Sequence, residues 1–276
     1  MEPIILFRDG QDWQQEQVAA AHHFPIIGTR MRIQPDSLVI PRYSALPFYR
    51  ELESDVQFVG AKLINSYQQH LYVADLQNWV TDLSDLTPKT WSRTQDLPEN
   101  TSFVLKGETN SKKQLWQSHM FAKNKKDAIE VESRLYADSL ISNQHIYIRE
   151  FVPLKTYMIG IQGLPITNEY RFFCYRSQIL SGGYYWSSHI EEIHDLNISP
   201  DPESVPLDFL AEVIGRIQDN INFYVIDVAE TASGDWIVIE LNDGSMSGLS
   251  ENDPEQLYKN LRQELDTWNN KVVMSY

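Results

Sequence analysis

Two apolar runs, "FYVIDVAE" and "WIVIEL", are separated only by "TASGD", and each carries a carboxylate inside it. Such a turn should close a β-hairpin. A turn centred on Ser233 sets Asp227 directly opposite Glu240. Side chains alternate along a strand, so Asn242 falls on the same face one diagonal step away. The other face carries Ile226, Val228, Ile237, Ile239 and Leu241 and reads as core. A carboxylate inside an apolar strand is costly unless paired, and two acids opposed across strands repel. Either the acids face water or a cation sits among them. The donors are hard oxygens, which suits magnesium more than zinc; magnesium is usually held by one or two carboxylates plus substrate phosphates. The hairpin therefore asks for a phosphate partner elsewhere in the chain.

Bulk properties narrow the partner. A net charge of −15 and a pI near 4.8 argue against a nucleic-acid backbone, which needs a basic surface. A few local lysines or arginines can still hold a nucleotide. The single cysteine, Cys174, excludes an intrachain disulfide and a Cys-rich zinc site. His22 and His23 are adjacent and His189 and His194 are five apart, so no helical zinc pair is present. The opening "MEPIILFRDG" is too short an apolar run for a signal peptide and no stretch approaches a membrane span, so a cytoplasmic protein without membrane contact is expected.

The 276 residues allow one large domain or two modest ones. "PIILF" reads as a strand closed by an Asp9-Gly10 turn, 11–22 as a short helix, and "DSLVIPRYSALPFY" as a strand with a Pro-punctuated loop. Helical and strand-like pieces then alternate, so residues 1–100 form an expected α/β layer. "TPKTW" and the polar "SRTQDLPENTS" look like a linker, placing a boundary near residue 100. Beyond it, 101–276 is rich in hairpin-like strands with three helices. The first, 124–142, carries Ile129, Leu135, Leu140 and Ile141. The second starts at Pro206 with Leu210, Val213, Ile214, Ile217 and Ile221 at helical spacing. The third starts at Asp253 and Pro254, with Leu257, Leu261, Leu265 and Trp268 as its stripe. That region is expected to be α+β.

Three segments offer places for a phosphate or its nucleotide. "FVLKGETNSKK" places Lys106 at the end of a strand, then Gly107, Thr109, Ser111, Lys112 and Lys113. Small polar residues beside lysines can surround phosphate oxygens, though a solvated hairpin tip looks the same and this is not a Walker A loop. In "NEYRFF", Glu169 and Arg171 share a strand face; the arginine suits either a structural ion pair or a phosphoryl group. "YIREFVPL" could line an adenine through its backbone.

Taken in order, these pieces resemble the ATP-grasp superfamily, in which two α+β subdomains clasp ATP. The resemblance rests on "TPKTW", a strand ending in Lys106 with a Gly-containing loop, the hinge "IREFV", the Glu-x-Arg strand "EYR", and Asp227, twelve intervening residues, Glu240 and Asn242. It implies an α/β domain over 1–100 preceding the grasp over 101–276. It implies that Lys106 contacts ATP phosphates and that the loop from Gly107 through Ser111 and Lys112 to Lys113 closes over them. Glu150, Phe151 and Val152 would line the adenine, Glu169 would approach the ribose, and Arg171 would reach phosphate or the reacting carboxyl. Asp227, Glu240 and Asn242 would hold magnesium. The implied activity is an ATP- and magnesium-dependent ligase that turns a carboxylate into an acyl phosphate for attack by an amine, on a small-molecule or peptide substrate. Three positions depart from the pattern. Asn78 and Trp79 stand where a second lysine is common, Val225 where an arginine often precedes the metal aspartate, and "DGSMSGL" where a Pro-Gly is common. The alternatives are a nucleotide-binding scaffold without catalysis and a plain metal-dependent hydrolase; the acceptor and the oligomeric state stay open.

Overall fold

The structure, a computed structural model, describes residues 1–8, 14–108 and 111–273; the Asp9-Gly10 turn, Thr109 and the Trp268 side chain lie outside the described set. Four short parallel strands form the first layer. β1 (Glu2–Leu6) lies between β2 (Ile26–Ile27) and β3 (Ser37–Pro41), and β4 (Lys62–Leu63) pairs with β3. Parallel neighbours need crossover connections, and α1 (Gln14–Ala21) and α2 (Tyr49–Phe58) supply them. Helix α2 packs on the face carrying Ile4, Leu6 and Val39, while the face carrying Ile5 and Ile40 meets a second core. Burial on both faces explains why "PIILF" is continuously apolar. Two further helices, α3 (Tyr67–Ala74) and α4 (Leu76–Val80), follow β4, and Ser66 and Gln69 cap α3 reciprocally.

The second layer is antiparallel. β5 (Thr90–Trp91), β6 (Phe103–Gly107), β7 (Phe121–Ala122) and β8 (Ile146–Glu150) run in the order β5-β8-β6-β7. Helix α5 (Lys125–Ala137) covers them through Ala128, Val131 and Leu135. Ile129 and Leu140, expected on that stripe, are exposed instead. Ile129 sits one helical step off the Ala128-Val131-Leu135 line, and Leu140 lies beyond the end of the helix. The expected linker is also structured: Thr90–Trp91 pairs with Ile148 and Arg149, so this stretch already belongs to the second sheet.

The third layer begins with a small hairpin of β9 (Thr156–Ile159) and β10 (Pro165–Thr167). It continues as the antiparallel sheet β12-β11-β13-β14, built from β11 (Glu169–Tyr175), β12 (Gln178–Tyr184), β13 (Phe223–Glu230) and β14 (Trp236–Asp243). A short helix α6 (Ile190–Asp195) and the helix α7 (Leu207–Ile217) cover one face, where Tyr170, Phe172, Ile226 and Leu241 meet Leu210, Val213, Ile214 and Ile217. On the opposite face, Phe173, Tyr175, Phe223 and Val225 pack against Leu257, Tyr258, Leu261 and Leu265 of α8 (Pro254–Val273). Asp253 caps α8 by accepting from the Glu255 N–H at 2.9 Å.

Buried polar contacts lock the first layer to the third. Arg42 donates to Glu16 (2.7 Å), to the Tyr258 hydroxyl (3.1 Å) and to the Ser247 carbonyl (2.9 Å). Asn65 exchanges two hydrogen bonds with the Phe223 backbone, at 2.6 and 2.8 Å.

Candidate active site

Helix α8 covers only part of its sheet face. Alternation puts Glu169 and Arg171 on the same face as Phe173 and Tyr175, and Asp227 on that of Phe223 and Val225. One end of the face is thus apolar and roofed by α8, while the other is polar and forms one wall of the cleft. Charged residues inside apolar strands mark where the roof stops.

The hairpin has the expected register, Asp227 opposite Glu240, with Asn242 opposite Val225. It also has an unforeseen bulge. The register shifts after Asp227, so that Val228 pairs with Val238 and Ile239 is the extra residue. Val238 then points into the core beside Val228, and Ile237 and Ile239, expected on the core face, line the cleft. The bulge is bridged from outside: the Val238 N–H donates to the Leu86 carbonyl (2.7 Å), the Thr87 hydroxyl donates to the Val238 carbonyl (2.7 Å), and Arg149 donates to the Ile239 carbonyl.

Two cavities meet in the cleft. The first, about 1110 Å³, is walled mainly by Val104, Met120, Phe151, Leu164, Ile237 and Ile239. Glu150, Val152, Arg149, Glu169, Ser111 and Lys113 also border it. The second, about 940 Å³, is polar and lies against the first layer, with Ser44, His70, Glu108, Arg171, Asn242 and Asp243 on its walls. Lys106, Ser111 and Glu240 border both. Gly107 and Lys112 border neither; Lys112 pairs with Asp138 at 2.7 Å.

The carboxylates do not face water. Lys106 donates to Glu240, and Arg171 forks onto both oxygens of Asp227 at 2.8 and 2.7 Å. Arg171 also donates to the Gly248 carbonyl at 2.9 Å. Burial pushes the Glu240 carboxyl up, but Lys106, Lys113 and Asn242 together draw it down to about 2, so it is ionised at neutral pH. Burial works against the Lys113 ammonium, yet Tyr185 and Glu169 raise its pKa; it donates to the Tyr185 hydroxyl at 2.5 Å and lies over the Tyr185 and Trp186 rings.

Sequence reasoning missed Arg149, Thr87, His70 and Asp243. His70 and Asp243 form a buried pair at 3.2 Å, with Asn65 donating to the second Asp243 oxygen at 2.9 Å and Tyr49 stacked on the imidazole. An arginine in the apolar run "HIYIREFV" is the same kind of signal as Glu240 in its strand. His70 sits in a helix among polar residues and gives none.

Glu169 accepts from Thr167 at 3.1 Å, and burial lifts its carboxyl to about 7 against the pull of Lys113, with Asp227 adding to the rise. In the unfolded chain the same group titrates near about 4.3. Between those values the folded chain holds a proton that the unfolded chain has lost. The contribution to stability is therefore full below the unfolded value and is lost as pH rises through about 7. Denaturant midpoints of the wild type and Glu169→Gln should show the wild type losing ground to the variant between about pH 4 and about pH 7. A wild type that gains ground over that range contradicts the assignment.

The donor set fits magnesium at its open end. Glu240 is ionised, Asn242 supplies an amide oxygen, and both border the polar cavity. Asp227 borders neither cavity, and Arg171 occupies both its oxygens. Among the described residues, no three His, Cys, Asp or Glu side chains cluster as a self-sufficient metal site. That leaves room for the substrate phosphates that usually complete a magnesium shell.

A cleft between two antiparallel sheets, apolar at one end and charged at the other, defines the ATP-grasp fold. The solved structures agree. D-cycloserine synthetase DcsG superposes with a TM-score of 0.58 at 13% identity, over 96% of this chain and 100% of that one. The ATP-grasp ligase PsnB complexed with its minimal precursor gives 0.58 at 11% identity, over 95% and 98%. The D-alanine–D-alanine ligase from Bacillus anthracis complexed with ATP gives 0.54 at 10% identity, over 96% and 99%. At such identities the likeness is one of fold. The chain belongs to an ATP-grasp domain family, the third family of its clade, whose model matches residues 93–261. No curated protein matches the sequence. Among the described residues, no helix is long and apolar enough to cross a membrane.

Proposed function

We propose that the chain is an ATP- and magnesium-dependent, ADP-forming ligase joining a carboxylate to an amine, with residues 101–276 as the grasp and 1–100 as the preceding α/β domain. The observation that carries this reading is the junction of an apolar cavity and a polar cavity at Lys106, Ser111 and Glu240. Phosphoryl transfer needs such a place, where a nucleotide and a second substrate meet within reach of fixed charges. The adenine would lie against Phe151 and Val152 with the Glu150 backbone at its edge, and Glu169 would face the ribose. Lys106, Ser111 and Lys113 would hold the phosphates. Glu240 and Asn242 would hold magnesium, joined by Asp227 only on its release from Arg171; the ion supplies charge neutralisation on the phosphates.

The second substrate, a small molecule or a peptide, would enter the polar cavity. Its carboxylate oxygen attacks the γ-phosphorus, the bond to the bridging oxygen breaks, and ADP leaves with that electron pair. An amine then attacks the acyl carbon, phosphate departs, and the amine gives up a proton. Hydroxylamine in place of the amine should yield a hydroxamate and ADP in equal amounts once the right carboxylate is supplied. One observation favours the scaffold reading: Lys106 and Arg171 already neutralise Glu240 and Asp227 without a metal. ATP binding with no carboxylate-dependent ADP release across a broad carboxylate panel would decide for the scaffold.

A further inference from the structure

Most cations at the cleft are matched. Lys106 has Glu240, Arg171 has Asp227, and Lys113 has the Tyr185 hydroxyl and two aromatic faces. Arg149 is different. It borders the apolar cavity, is 7% exposed, and among the described residues forms no ion pair with a carboxylate. Its hydrogen-bond partners are neutral: Nη2 donates to the Thr87 hydroxyl at 2.6 Å and Nη1 to the Ile239 carbonyl. Its Nε is buried with no partner. A guanidinium carries five N–H donors and does not lose its proton in proteins. Burying one without a bonded anion is unfavourable, and a buried donor left unmade adds to the cost.

The position is also fixed in advance. Arg149 sits on β8 immediately before Glu150, and its two bonds reach the Thr87 segment and the bulge of β14. The bulge frees the Ile239 carbonyl from the ladder, and Arg149 takes it. The side chain is thus held at the wall between Glu150 and Glu240, along the cavity's path from its apolar end to the junction with the polar cavity.

From this unmatched, buried and pre-positioned guanidinium we propose that Arg149 is a nucleotide-binding residue that takes a phosphate of the bound adenine nucleotide. The inference rests on the ATP-binding reading above. Planar guanidinium donors match phosphate oxygens in geometry as well as charge.

The test is calorimetric titration of wild type, Arg149→Gln and Arg149→Lys with adenosine, AMP, ADP and ATP, each protein checked for cooperative unfolding. Arg149→Gln should bind the phosphorylated ligands about ten- to a hundredfold more weakly, with adenosine affinity unchanged. Arg149→Lys should recover part of the loss, and it carries the test if Arg149→Gln does not fold. The ligand at which the loss first appears identifies the phosphate. Equal losses for adenosine and ATP would make Arg149 a strut between Thr87 and Ile239 and overturn the proposal. Unchanged ATP affinity in a folded variant overturns it as well. A wild type that binds none of the four ligands removes the ATP reading itself, a result distinct from either.

Discussion

Glu240→Gln is expected to leave the fold intact and to lower magnesium-dependent ATP turnover by at least about a hundredfold, the scale on which a fixed charge at a transferring phosphoryl group acts. Glu240 is the carboxylate that borders both cavities, and it is ionised at neutral pH. The amide keeps the shape and can still accept from Lys106, but it removes the negative charge. Magnesium loses its anionic protein ligand at the junction. Lys106 loses its counter-charge and should hold nucleotide phosphates more freely. Weak ATP binding should therefore persist in the variant but respond little to magnesium. The measurement is ADP release and ATP affinity with and without magnesium for both proteins. Loss of cooperative unfolding in Glu240→Gln would show a structural carboxylate instead.

Arg171→Met is expected to act on stability, costing about 3–5 kcal/mol, because it leaves Asp227 charged and buried without its partner. Asp227 is fully buried and both its oxygens accept from Arg171. The methionine also gives up the bond to the Gly248 carbonyl and the contact with the Tyr185 ring, where the guanidinium lies 4.9 Å from the centroid. Adding Asp227→Leu to Arg171→Met should restore most of the lost stability, since replacing both members of a buried pair by apolar side chains is often neutral. Urea unfolding of the wild type, the single variant and the double variant reads both effects. A single variant within about 1 kcal/mol of wild type would mean that Asp227 finds another cation, and the pair would then be no structural strut.

The sequence and the structure part company at identifiable places. The hairpin and its pairing of Asp227 with Glu240 were legible because a short turn between two alternating strands sets the register locally. The bulge at Ile239 was not, because Leu86, Thr87 and Arg149 impose it from residues some 90 to 150 positions away. It reverses the roles of Val238 and of Ile237 and Ile239 without any local mark in "WIVIEL". Thr90–Trp91 read as linker since two residues carry no usable periodicity; only pairing with β8 makes them a strand. The stripe of α5 was misread at Ile129 because Ala128, small and inconspicuous, holds the buried position. Arg171 was legible as a residue of interest but not by partner: its opposite number, Asp227, lies 56 residues on, across a pairing that only the folded sheet makes.

The central claim is that the joined cavities are a magnesium-dependent ATP site, and calorimetric titration of the folded wild type with ATP, with and without magnesium, tests it most directly. The account predicts saturable one-to-one binding that tightens when magnesium is present. A cooperatively folded protein that gives no binding signal under either condition would contradict it, leaving the family fold without its nucleotide.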